Sequence, residues 1–419
     1  MRFRYFYIKK LSRTMKAESF IVPGSFLYIE GGVKMVSTYT QLCPVLFGPD
    51  ASKQLGEKAK EMGAKNVMLI YDKGIGGTGI VDAFEKDLEE NGMKVLRFDG
   101  VMPDAPKEMV NAAGKLAQDN NIDAIVGIGG GSSLDTAKAI SILIENPLPI
   151  EDYYPHKGKA FKQERPLILV PTAAGTGSEV TIMAVIHDKD TDAKEFVLRH
   201  GDLAILDPCL TMSAPPFVTA STGMDAMSHA AEALTTNCGN PKADLLALHA
   251  IKLITDNLPV AFQDGNDLEA RTNLSLASNF AGMAFNDASV HFGHAAAHEL
   301  GVQFHMPHGD ACAIALPEVI RFSADIIPEK TANIAEALGI AVPEGAGGAE
   351  IGELCAAKIR SLMKEVGIKS LKERGLSREE VVACAEGAVK KNWFVICSLK
   401  EITPEVMAEE LGEMYDNYQ

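Results

Sequence analysis

From residue 36 to residue 205, short apolar runs alternate with stretches of helical spacing, and after the Pro215-Pro216 pair this alternation stops. NVMLIYD (66–72), KVLRFDGV (94–101), AIVGIGG (124–130) and PLILVPTAAGTGSE (166–179) read as strands. VDAFEKDLEENG (81–92) and PKEMVNAAGKLAQDNNID (106–123) read as the helices between them. Buried strands separated by helices mean a parallel α/β sheet. Beyond residue 215 the chain is long stretches rich in alanine, leucine and glutamate, which predict an all-helical second domain. The expected organisation is therefore an atypical segment over 1–34, a Rossmann-like α/β domain over 35–214 and a helical domain over 215–419. The cleft between two such domains is where a site is expected.

The length agrees. A chain of 419 residues exceeds one ordinary core and suits two domains of roughly 200 residues each. The net charge of −16 argues against nucleic acid or an anionic membrane surface as partner. The sequence reads as free of a long uncharged apolar run, so no bilayer-spanning segment is expected. The seven cysteines are scattered and include no CxxC, which fits reduced thiols in a cytoplasm and no zinc site of four cysteines. The first 34 residues are basic and aromatic, without the apolar core and cleavage site of a signal peptide. Met35 opens a second plausible start, so residues 1–34 are read as an upstream extension or an arm. The intact mass of natively expressed protein distinguishes the two.

Two glycine-rich turns follow strands. GIGGGSSLDTAKAI (127–140) opens a helix, and its glycines let backbone N–H groups approach a pyrophosphate at the helix N-terminus. It is neither GxGxxG nor a P-loop, and a plain tight turn is the alternative. PTAAGTGSE (171–179) repeats the strand-to-glycine pattern, and two such turns make a cofactor crevice the better reading. Asp72 ends an earlier strand, where an acid could hold ribose hydroxyls and repel a 2′-phosphate, favouring NAD over NADP. The alternative for Asp72 is a turn acid.

Five of the ten histidines crowd into HFGHAAAHELGVQFHMPHGD (291–310). Asp225 and His229 stand four apart on one predicted helix, and His294 and His298 four apart on another, so each pair shares a face. His308 follows between Pro307 and Gly309. Asp225, His229, one of the 294/298 pair and His308 would give one carboxylate and three imidazoles, suited to Fe²⁺, Zn²⁺, Mn²⁺ or Ni²⁺. The alternative is a polar cleft lined by histidines. The HExxH arrangement is absent, because Val302 stands at the needed position.

Together GGGSSLDTAK, PTAAGTGSE, GMDAMSHAAEA and HAAAHELG…PHGDACAIALP resemble the iron-containing (group III) alcohol dehydrogenases over about residues 36–415. The resemblance implies Asp225, His229, His294 and His308 as metal ligands. It places His298 beside nicotinamide and substrate, as the catalytic histidine. It implies NAD contacts at Asp72, Gly129, Gly130, Gly131, Ser132, Asp135, Thr172, Thr176 and Lys194, and a homodimer or higher homo-oligomer. Three departures border the expected substrate pocket: His291, Met183 and WFVICSLKEIT (393–403), with Met183, Val185, Phe285 and His291 as its expected wall.

The implied reaction interconverts a short primary alcohol or diol and its aldehyde. The metal, Fe²⁺ or Zn²⁺, acts as Lewis acid, NAD carries the hydride, and His298 shuttles the proton. An alternative substrate is a small anionic aldehyde such as sulfoacetaldehyde or succinic semialdehyde, met by His291 with His305, Lys194 or Arg199. Rival readings are a lyase of the dehydroquinate-synthase kind and a structural assembly protein.

Overall fold

The computed structural model describes residue 39, residues 41–190 and residues 193–419; the expectation for residues 1–34 lies outside them. Six strands form one parallel sheet in the order β1-β8-β5-β4-β2-β3. They are β1 (Val45–Phe47), β2 (Asn66–Ile70), β3 (Lys94–Phe98), β4 (Ala124–Gly129), β5 (Leu167–Pro171) and β8 (Leu203–Leu206). Every residue of β4 and β5 is buried, which is why these strands read as unbroken apolar runs and not as alternation. The helices between the strands include α1 (Leu55–Glu61), α2 (Ile80–Glu90), α3 (Lys107–Asp119) and α4 (Gly131–Leu143).

Among the described residues, the chain packs into two compact units, one holding residues 41–42, 53–169 and 182–203, the other residues 43–52, 170–181 and 204–419. This differs from a single cut at 214/215. Residues 43–52 leave the first unit because β1 pairs with β8 and Ser52 bonds to Asp207, and residues 170–181 because they pack against helices beyond residue 216, pairings that local patterning does not reveal.

In the first unit, β2 pairs with β3 on one side and with β4 on the other. The chain order therefore reverses between β2 and β4, which leaves a crevice at their carboxyl ends. The core beneath is Met68, Ile70, Ile125, Leu134, Ile140, Leu167 and Leu169, all 0–1% exposed. Helix α4 lies close on β4 because Gly127 has no side chain; a Cβ there would sit 2.5 Å from the Ala137 Cβ. An antiparallel hairpin of β6 (Met183–Asp188) and β7 (Ala193–Leu198) completes the unit. The sequence reading had no place for it, although β6 alternates strictly between half-buried and buried residues, the period of a strand with one covered face.

The second unit is built of α5 (Pro216–Leu234), α6 (Pro241–Gln263), α7 (Leu268–Ala288), α8 (Phe292–Phe304), α9 (His308–Ala324), α10 (Pro328–Ala337), α11 (Gly348–Glu365), α12 (Arg378–Val382), α13 (Ala385–Lys391) and α14 (Pro404–Asn417). Alanines fill much of its core, including Ala226, Ala230, Ala247, Ala250, Ala277, Ala281 and Ala284, so the helices approach closely. Contrary to the sequence expectation, α6 is long and apolar enough to cross a membrane by length and composition. Its apolar face is buried through Ala247, Ala250, Ile251, Ile254 and Leu258, and an exposed Lys252–Asp256 pair at 3.0 Å lies on it too. That distribution is a core helix with one wet face.

Candidate metal centre

The glycine-rich turn of the first unit stands at the crevice between β2 and β4. Asp72 follows β2. Its Oδ1 accepts from the N–H groups of Gly74 at 2.8 Å and Ile75 at 3.1 Å, while Oδ2 lies 3.4 Å from the Ser133 hydroxyl. Asp72 is thus a turn acid through one oxygen and faces the glycine-rich turn through the other. Gly129 takes φ +138°, and a Cβ there would sit 2.6 Å from the Ser133 Oγ, so no other residue fits readily. Gly130 is different: nothing lies within 4 Å of a Cβ built on it. Gly131 and Ser132 open α4, half-buried, at the N-terminus of a 13-residue helix whose dipole favours phosphate.

Other expected cofactor contacts in this unit have partners of their own. Asp135 accepts from the Val185 N–H at 3.0 Å and lies 3.6 Å from the Lys138 ammonium. Lys138, fully buried, donates to the Met183 carbonyl at 2.8 Å. These two residues fasten β6 to α4. Lys194 pairs with Asp104 at 3.1 Å. Met183 and Val185 are half-buried on β6.

The second glycine-rich turn belongs to the helical unit, and its glycines serve close packing. A Cβ on Gly175 would lie 2.7 Å from the Thr222 Cβ of α5, and one on Gly177, at φ +58°, 2.5 Å from the Gly282 Cα of α7. Glu179 accepts from Asn279 of α7 at 2.8 Å. Thr172 is buried, and the Thr176 hydroxyl accepts from the Ser178 N–H at 3.2 Å.

The histidines gather where α5, α8 and α9 meet. Gly309 lets the start of α9 press against the Ser221 backbone of α5, one turn before Asp225, and this brings His308 to Asp225. The Asp225 Oδ1 lies 3.5 Å from His308 Nε2 and 4.0 Å from His294 Nε2. With Cys312, these residues form a cluster whose four donor atoms all lie within 4.8 Å of one another. His229 stands outside that cluster. Its Nδ1 is 3.9 Å from Asp225 Oδ2, its ring stacks on Phe285 at 4.3 Å, and the Gly175 backbone bonds to it. Phe285 is accordingly a wall of this centre.

The residues fit a divalent cation. Asp225 Oδ1, His294 Nε2 and His229 Nδ1 are buried without a hydrogen-bond partner, and such groups are costly unless something positive or polar meets them. Glu232 holds the first imidazole in place: its carboxylate accepts from the His294 Nδ1 at 2.7 Å and from the His294 N–H at 2.9 Å. That turns Nε2 toward Asp225, the usual outer-shell device of a metal-binding histidine. Burial works against ionised Glu232, yet the His294 and His291 imidazoles and the His291 N–H hold its pKa down at about 2. Burial lowers the His229 pKa to about 4. At His294 burial also opposes protonation, but the Glu232 charge outweighs it and the pKa is raised.

His298 is half-buried, with its ring 5.4 Å from that of His308. Its Nδ1 lies 2.9 Å from Asn392 Oδ1. The Asn392 amide is oriented by its own donation to the Ala388 carbonyl at 2.9 Å, so Oδ1 accepts and His298 carries its proton on Nδ1. Phe394 meets the His298 ring edge-on at 5.5 Å, which brings part of the divergent 393–403 stretch to the centre.

His291 requires correction. It is 0% exposed. Its Nε2 is 2.8 Å from the Thr235 hydroxyl and its Nδ1 3.4 Å from the Ser398 hydroxyl, and its N–H donates to Glu232. It precedes α8 as an interior brace and lines no substrate wall. Three further residues went unnamed in the sequence reading. Glu232 and Cys312 had a signal: each shares a helix face with a predicted ligand, three residues after His229 and four after His308. Asn392, 94 residues from His298, had none.

Comparison with known proteins identifies the family. The sequence profile described as "Iron-containing alcohol dehydrogenase" matches residues 44–208. That of the "Fe-containing alcohol dehydrogenase family, C-terminal" matches residues 219–411. A 1,3-propanediol dehydrogenase of Citrobacter freundii is 38% identical over 352 residues, 82% of this chain and 90% of that protein. An NAD-dependent methanol dehydrogenase of Bacillus methanolicus is 35% identical over 347 residues, 82% and 91% of the two chains. A crystal structure of a 1,3-propanediol oxidoreductase superposes with a TM-score of 0.85 at 34% identity, covering 90% of this chain and 100% of that one. A sulfoacetaldehyde reductase of Bifidobacterium kashiwanohense in complex with NAD⁺ gives 0.82 at 28%, covering 91% and 99%. The chain belongs to the iron-containing alcohol dehydrogenase family.

Proposed function

We propose that this enzyme interconverts a short primary alcohol or diol and its aldehyde, with Asp225, His294 and His308 holding the divalent ion. The observation that carries the reading is the convergence of the buried, unpartnered Asp225 Oδ1 and His294 Nε2 on His308 Nε2. When bound, the ion supplies Lewis acidity toward the substrate oxygen and NAD the hydride acceptor.

The chain's own residues do the rest. Glu232 fixes the tautomer and direction of His294. Asn392 leaves the His298 Nε2 free of its proton, so that nitrogen takes the alcohol proton and returns it in the reverse direction. Phe285 and Phe394 line the centre with apolar surface, which suits a small, uncharged substrate. At the crevice of the first unit, the half-buried start of α4 and the Asp72 carboxylate are the groups for pyrophosphate and ribose.

Of the groups named for an anionic tail, Arg199, Lys194 and His291 are engaged elsewhere. Arg199 is 1% exposed and donates to Asp202 at 2.7 Å and to the Arg165 carbonyl at 3.0 Å. Lys194 pairs with Asp104, and His291 is interior. This supports the neutral substrate over sulfoacetaldehyde or succinic semialdehyde.

The test is a panel of alcohols, diols and aldehydes, the two anionic aldehydes included. It is run on protein stripped of metal and reloaded anaerobically with Fe²⁺ or Zn²⁺, beside His308→Ala. Metal-dependent turnover of short diols or alcohols, lost in the variant, is expected. Faster turnover of sulfoacetaldehyde than of any neutral aldehyde would refute the substrate reading.

A further inference from the structure

The connection between α5 and α6 is fastened to the chain that follows α13. Thr236 and Ser398 form an antiparallel bridge. The Cys397 carbonyl accepts from the Asn237 N–H at 2.8 Å and from the Thr236 hydroxyl at 3.0 Å. The Asn237 side-chain amide donates to the Ile396 carbonyl at 2.8 Å and to the Ser398 carbonyl at 2.7 Å. Cys238 turns back on this bridge, its N–H donating to the Thr236 hydroxyl at 3.1 Å. Two cysteines far apart in the chain therefore meet: the Cys238 and Cys397 thiols hydrogen-bond to each other, and the Cys238 Sγ donates to Asn237 Oδ1 at 3.1 Å.

The two thiols are not equivalent. Cys238 is half-buried and Cys397 buried, and both are free. The bond to Cys238, and then burial, hold the Cys397 pKa well above that of an ordinary thiol. A reagent in solution meets Cys238 first, and Cys397 waits behind it, the order of an attacking and a resolving cysteine.

The pair also stands between two supports of the metal centre. Asn392 and Phe394, in the segment that ends at Cys397, meet the His298 ring. Thr235 and Ser398, one on each side of the bridge, hold His291 by its two ring nitrogens, and the His291 N–H donates to Glu232, the carboxylate that orients His294.

We propose that Cys238 and Cys397 are a reversible redox pair, closed into a disulfide by small disulfide reagents, and that closing it lowers turnover by shifting the 392–398 segment. In the first step the Cys238 sulfur attacks one sulfur of the reagent; that S–S bond breaks, and the first thiol leaves with the Cys238 proton. In the second the Cys397 sulfur attacks the Cys238 sulfur, the mixed disulfide breaks, and the second thiol leaves with the Cys397 proton. The protein dithiol is oxidised by two electrons and the reagent is reduced to two thiols. Bonded sulfurs stand about 2.0 Å apart, closer than two hydrogen-bonded thiols, so the fastened segments must move. The effect on turnover rests on the roles given above to His298 and His294; the formation of the bond does not.

The test treats the metal-loaded full chain with cystamine without oxygen, removes the reagent by desalting, and reads peptide masses and alcohol oxidation together. In the wild type, a linked peptide pair holding Cys238 and Cys397, lighter by two hydrogens and free of cysteamine, should form as kcat falls about tenfold. A phosphine reductant should restore both. Cys397→Ser should retain cysteamine on Cys238, and Cys238→Ser should form no link and keep its kcat through the same treatment. Cysteamine that stays on Cys238 in the wild type, or a Cys238 that takes none up and forms no link, would overturn the pair. A complete link with unchanged kcat would overturn the switch. Absence of turnover before treatment would refute the proposed reaction, while the masses would still decide the pair.

Discussion

The two glycine-rich turns look alike in sequence and do different work. GIGGGSS (127–133) sits at the reversal of strand order, and its Gly130 faces open space. PTAAGTGSE (171–179) is wedged between α5 and α7, where Gly175 meets Thr222 and Gly177 meets Gly282. In the first, the proposed function gives the open space at Gly130 to a ligand's phosphates; in the second, missing side chains leave room for neighbouring helices. A glycine cluster after a strand therefore announces a close approach and does not say of what.

Substitutions separate the two roles. Gly177→Ala combines a clash at 2.5 Å with a backbone at φ +58° and should cost about 2–4 kcal/mol of stability from overpacking and left-handed strain. Denaturant unfolding reads this, and an unchanged midpoint would break the contrast. Gly130→Ala meets no atom and has φ −83°, so its stability should stay within about 0.5 kcal/mol. Its affinity for NADH, followed by nicotinamide fluorescence, should instead fall about tenfold, which is about 1.4 kcal/mol. The smallest effect is expected at Asp72→Asn. Asparagine caps as well as aspartate, so the fold should hold, while loss of the charge should narrow the preference for NADH over NADPH several-fold. An unaltered ratio would make Asp72 a turn residue alone.

The same contrast explains what the sequence disclosed. Features local in the chain were legible: buried strands as apolar runs, and Asp225, His294 and His308, all of which lie on helices. Legibility ended where long-range packing decides. His291 looked like part of an exposed histidine cluster, yet Thr235 and Ser398, 56 and 107 residues away, hold it inside. Segment 170–181 reads as part of the α/β domain and packs with distant helices. His229 has the expected spacing, and its buried, unpartnered Nδ1 lies 3.9 Å from Asp225 Oδ2, while Cys312 takes a place in the cluster that residue type alone did not announce.

The measurement that bears most directly on the whole account is a titration of metal-free protein with Fe²⁺ under anaerobic conditions, following NADH formation from 1,3-propanediol. The rate should rise from the baseline with added metal and level off at one ion per chain, and Asp225→Asn should stay at the baseline. A full rate in the chelated, metal-free protein would contradict the account.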